Sequence, residues 1–99
     1  MEIKDLAGLF KPPLDNTTRM LILIALYVHG RLEFVELLYL TGAPKSSLHY
    51  HLSELEKHGL IALRKAVRSR QVTVAELTDK GRQVVEQVLK ALSGLKRQS

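Results

Sequence analysis

Apolar positions in this 99-residue chain recur at helical spacing through most of its length and alternate only between Gly59 and Thr78. In "EIKDLAGLF", Ile3, Leu6, Ala7 and Phe10 share one helical face, which predicts a short helix or ordered arm ended by Pro12-Pro13. "LDNTTRMLILIALYVHG" follows, with Asp15 or Asn16 available as N-cap and Gly30 as the closing residue. Its middle is apolar all round, so it is expected to be a central helix buried on several sides, with a subunit boundary on its far side. "RLEF" reads as extended and "VELLYL" as a second short helix stopped at Thr41-Gly42. Pro44 suits the first position of a third helix, which runs to about His58 and ends at Gly59. "LIALRKAV" and "QVTVAELT" then read as two strands with "RSR" between them as a hairpin tip. Thr78 caps a last helix in which Val85, Val88, Leu92 and Leu95 are spaced three, four and three apart, with Val84 and Leu89 as a second apolar flank.

The expected fold is mainly α with a small β-hairpin (α+β), in one domain over residues 1–99. Residues 1–13 form an arm, 14–78 the core, and 79–96 a C-terminal helix whose spare face suits a partner subunit. The dimer interface is expected at Ile3, Leu6, Phe10, Val85, Val88, Leu92 and Leu95, paired across a two-fold axis. Two helices joined by a short turn containing Gly42 make a helix-turn-helix pattern.

Charge changes this picture because it is uneven. The formal net charge is +5, yet residues 1–59 balance at −1 and residues 60–99 at +6. Within "RKAVRSR", residues 64–70, four of seven are basic and none is acidic, a local field that favours a polyanion. The chain has no cysteine, so thiolate metal sites and disulfides are excluded. Its longest apolar run, Met20 to Val28, is nine residues, about half of a membrane span. No signal-peptide pattern opens the chain, and a cytoplasmic location is expected.

The third helix supplies candidate chemistry. With Leu48 taken as inward, Leu52 and Leu55 lie within about 40° of it, while Ser46, Tyr50, Ser53 and Lys57 point away. An outward face rich in hydrogen-bonding groups and poor in charge suits base edges in a major groove. Lys45, Ser46 and Ser47 occupy the first turn, where free amides favour a phosphate. At the hairpin, Arg68 and Arg70 can enter a minor groove while Arg64 and Lys65 hold the backbone.

The residues "NTTRMLILIAL", "SSLHYHLSELEKHGLI" and "LTDKG" together resemble the ArsR/MarR-like winged helix-turn-helix transcriptional regulators of bacteria and archaea. That resemblance covers about residues 14–92. It implies a homodimeric DNA-binding protein, often a repressor, with Lys45, Ser46, Ser47, His49, Tyr50 and Ser53 of the third helix and Arg64, Lys65, Arg68 and Arg70 of the wing on DNA. The cysteines of ArsR-like metal sensors are missing, and the chain lacks the extra helices of MarR-like ligand pockets, so neither a metal, a cofactor nor a small-molecule ligand is expected.

The histidines do not suggest a metal site. His49 and His51 point about 200° apart on a helix, and His51 and His58 are roughly 10 Å apart along it. His51, beside Leu52, reads as a hydrogen-bonded packing residue. No nucleophile, glycine-rich phosphate loop or apolar carboxylate pair suggests catalysis. Against a specific regulator stand a sequence-tolerant architectural DNA protein and a winged helix used as a protein–protein module.

Overall fold

The computed structural model describes residues 4 and 7–98. Ile3 and Leu6 of the expected interface therefore lie outside the described residues. The elements are α1 (Thr17–His29), β1 (Arg31–Glu33), α2 (Phe34–Thr41), α3 (Lys45–Lys57), β2 (Ile61–Val67), β3 (Gln71–Leu77) and α4 (Asp79–Gln98).

Local chemistry explains the boundaries. Asn16, rather than Asp15, caps α1, its side-chain oxygen accepting from the Arg19 amide at 3.0 Å. Phe34 is not the end of a strand but the first residue of α2. Glu33 stands before it as N-cap in a reciprocal capping box with Glu36, whose carboxylate accepts from the Glu33 amide at 2.9 Å. Gly42, left-handed at φ 67°, closes α2, and Pro44 stands as the N-cap of α3 rather than its first residue.

The strands form one antiparallel sheet in the order β1-β3-β2. The expected hairpin is present, and β1 adds a third strand through Leu32↔Ala75. Ile22, Leu23 and Leu26 of α1, Leu37 of α2, and Leu48, Leu52 and Leu55 of α3 are buried together with Ile61, Ala75 and Val85 in a single core. α1 is buried on one side only: Leu21, Ile24 and Val28 keep 45, 38 and 69% exposure. The α4 spacing also divides. Val85 and Val88 are buried within the chain at 2 and 3% exposure, which reassigns them from a partner-facing seam to the core. Leu89 and Leu92 remain 41 and 45% exposed. Leu95 and Phe10 are half-buried.

The end of α3, the start of the hairpin and the start of α4 meet at one point. The Leu60 amide donates to Leu55 O at 3.0 Å and the Gly59 amide to Glu56 O at 2.9 Å, the two bonds of a Schellman close. Gly59 takes φ 75° for it. The Thr78 hydroxyl donates to Gly59 O at 2.6 Å and accepts from the Gly81 amide at 3.0 Å. The Thr78 amide donates to Leu60 O at 3.1 Å, and Lys80 Nζ to His58 O at 3.0 Å. A methyl group on Gly81 would collide with Leu60 O and meet Leu77 Cδ2 at 3.1 Å, so glycine there permits backbone to lie on backbone. Gly81→Ala is expected to destabilise the fold by about 1–3 kcal/mol, the usual range for overpacking. Thermal unfolding checks this, and an unchanged midpoint would mean that α4 can shift freely.

Candidate nucleic-acid interface

α3 can expose a polar face because its inward one is filled. Leu48, Leu52 and Leu55 are 0, 2 and 0% exposed. Lys45, Ser46, His49, Tyr50 and Ser53 are exposed and Ser47 is half-buried. Tyr50 keeps 58% exposure, so it is not a cover laid over the core.

His49 is exposed but oriented. Its imidazole stacks on Phe34 with ring centroids 4.3 Å apart and planes 24° apart. Phe34 opens α2, so the stack ties together the two helices of the helix-turn-helix. It covers one ring face, and the His49 nitrogens make no hydrogen bond among the described residues, which leaves them for a ligand. Phe34 was missed in the sequence because its aromatic partner is fifteen positions away, beyond any local periodicity.

Between α3 and the hairpin runs a groove made of two adjoining cavities of about 420 and 310 Å³. Phe34, His49 and Thr73 border both, Ser53, Lys65 and Arg64 border the first, and Lys45, Arg70 and Gln71 the second. Six expected DNA-facing residues, Lys45, His49, Ser53, Arg64, Lys65 and Arg70, thus share one groove. Ser46, Tyr50 and Arg68 are exposed without lining it.

The wing cations differ in availability. Arg64 Nε lies 3.8 Å from Glu76, whose other oxygen is 3.7 Å from Arg31. Lys65 Nζ donates to Thr73 Oγ1 at 3.1 Å, across the Lys65↔Thr73 register pair. Arg68 and Arg70 have no ion pair among the described residues. They flank Ser69 in a three-residue tip, closed by the Arg68 amide donating to Arg70 O at 2.9 Å. Beside them Val67 is 83% exposed.

His51 turns the other way. It is half-buried, with Nδ1 3.3 Å from Arg19 NH1. Burial holds the imidazole below its ordinary 6.5, and the Arg19 charge pushes in the same direction.

Residues 18–95 match the family model described as a winged helix DNA-binding domain. The chain belongs to that family. A transcriptional regulator homologue protein from Pyrococcus horikoshii OT3 superposes with a TM-score of 0.83 at 26% identity, covering 95% of each chain. A MarR family transcriptional regulator from Silicibacter pomeroyi matches at 0.75 and 20% identity, over 96% of this chain and 61% of its own. Bacillus subtilis PadR, solved in complex with operator DNA, matches at 0.65 and 21% identity, over 75% of this chain and 47% of its own. No curated protein sequence matches. The architecture is that of a winged helix DNA-binding transcriptional regulator, as the resemblance in "SSLHYHLSELEKHGLI" and "LTDKG" implied. Among the described residues, no helix is long and apolar enough to cross a membrane.

For this winged helix, the unpaired tip cations make a defined prediction. Replacing Arg68 and Arg70 with Ala should flatten the dependence of log affinity on log salt by about two units of slope, since each phosphate contact contributes about 0.9. Titration of any duplex at several salt concentrations measures it, and an unaltered slope would take the wing off DNA.

Proposed function

We propose that the chain is a sequence-specific, homodimeric transcription regulator acting as a repressor. α3 enters the major groove, a phosphodiester strand follows the groove beside the wing, and the tip reaches the backbone or minor groove. The observation that carries this reading is the shared groove: hydrogen-bonding groups of α3 and the cations Lys45, Arg64, Lys65 and Arg70 border one cleft, with Glu33 and Glu56 also at its walls. Ser46, His49, Tyr50 and Ser53 would read base edges. Lys45 and Ser47, in the first turn of α3, would hold phosphate by charge and by free amides. Lys65, Arg64, Arg68 and Arg70 would fix register on the backbone.

The dimer would form on a surface that keeps Leu92 and the outer side of α1 from the expected interface and leaves out the buried Val85 and Val88. Leu21, Ile24 and Val28 make an exposed stripe on α1 at helical spacing, and Leu89 and Leu92 lie on α4. The two helices touch through Tyr27, whose hydroxyl donates to Glu86 at 3.2 Å and whose ring lies 5.9 Å from the Arg82 guanidinium carbon. Two-fold pairing of this surface would present two α3 helices to successive major grooves.

Selection from a random duplex library at near-physiological salt is the direct test. The expected product is an inverted repeat with half-site centres about one helical turn, roughly 34 Å, apart. Retention without enrichment would favour a sequence-tolerant architectural protein, and no retention at low salt would exclude the reading. In parallel, sedimentation at micromolar concentration should give a dimer for the native chain and a monomer for Ile24→Glu combined with Leu92→Glu. A dimer surviving both substitutions would move the interface elsewhere.

A further inference from the structure

We infer that Arg19 and His51 are positioning residues for DNA recognition: their contact is a strut that sets the pitch of α3, and protonation of His51 releases it. This rests on the reading of α3 as the DNA-facing helix.

The geometry is specific. The Arg19 side chain is only 12% exposed, and its guanidinium divides among three partners. Nε donates to Pro13 O at 2.9 Å, NH2 is 3.5 Å from Asp15 Oδ1, and NH1 is 3.3 Å from His51 Nδ1. A guanidinium nitrogen can only donate. His51 Nδ1 must therefore offer a lone pair, which only the neutral ring with its proton on Nε2 does. A second proton would convert the acceptor into a donor aimed at a cation.

The groups facing His51 from each side decide how it responds. From the α1 side come Arg19 and, shared with it, Asp15. On α3, Glu54 is one turn along, and Tyr50 meets the ring edge-on at 5.5 Å. Asp15 is engaged with Arg19, and burial first and the Arg19 charge second lower the His51 pKa. A histidine depressed in this way takes up its proton first in the unfolded chain. The strut is therefore fully formed above pH 6.5 and is lost as pH falls through the lower folded-state value. His51 also adjoins Tyr50 and lies one turn from Ser47, so a change in the pitch of α3 moves the recognition face directly.

The pH response has an identifiable sign. A histidine on the DNA side, such as His49, gains attraction to phosphate on protonation, whereas His51 loses its strut. The test is therefore made in a His49→Gln background. Affinity for the duplex recovered by library selection is measured between pH 7.5 and pH 5 at constant ionic strength. Amide hydrogen exchange along α3 and the ring nitrogen signals of His51 are followed in the free protein. The expected result is an affinity loss of about fivefold or more, the lower end of ordinary coupling between sites. Faster exchange in α3 should accompany it, together with a neutral His51 protonated on Nε2 at pH 7.5.

Adding His51→Gln, whose amide oxygen can accept from Arg19 at any pH, should flatten both profiles. Should that variant fail to fold, Arg19→Met decides instead, by moving the His51 titration up toward 6.5 and uncoupling α3 exchange from it. An acid loss that persists in His51→Gln, or α3 exchange indifferent to His51 protonation, would overturn the strut. The free-protein measurements stand without DNA, so a failure to recover any duplex would count against the proposed function and leave the strut decided separately.

Discussion

The close approach of α4 to the Leu60 carbonyl is the contact on which the other arrangements rest. Gly81 allows it by having no side chain, and Thr78 fastens it through bonds to Gly59 and Gly81. The same few residues end α3, begin β2 and begin α4. Their geometry therefore fixes three relations at once: where α3 stops, where the hairpin leaves, and how the last helix crosses the core. In "GLI" and "LT..G", Gly59 supplies a left-handed close, Leu60 and Ile61 are buried, and Thr78 with Gly81 receives the turn. The motif is thus one joint made from two distant pieces of chain.

A second constraint acts on charge. The basic half of the chain is not uniformly available to a ligand, because Glu76 lies between Arg31 and Arg64 and draws on both. Exposed ion pairs of this kind contribute little to stability, but they lower the local field in the middle of the sheet. On the hairpin, Arg68 and Arg70 are then the arginines without an ion pair among the described residues, at the tip between β2 and β3.

The helices and hairpin were legible because their signals are local. Leu48, Leu52 and Leu55 repeat at helical spacing, Val72 and Val74 alternate, and Gly30, Gly42 and Gly59 punctuate, all three adopting positive φ. What was not legible depends on partners far apart in sequence. β1 read as extended but without a partner until Leu32 paired with Ala75, and Phe34 looked like a strand end until Glu36 closed a capping box on Glu33. The heptad-like spacing of α4 was ambiguous for a physical reason: an apolar stripe serves a chain's own core and a partner's equally well. Only the fold distinguishes buried Val85 and Val88 from exposed Leu89 and Leu92. At the site, the cations and hydroxyls could be named from the sequence, whereas the Phe34–His49 stack and the Arg19–His51 contact could not.

These two contacts explain how a helix with a polar outer face holds one orientation. Burial of three leucines fixes α3 against sliding outward but constrains rotation about its own axis less, since apolar contact is non-directional. The histidines supply direction. His49 stacks on α2 on one flank, and His51 accepts from α1 on the other. Being two residues apart they point to nearly opposite sides, so a rotation that relaxes one strains the other. The leucines hold α3 at its depth, and the two histidine contacts tie its flanks to α2 and α1.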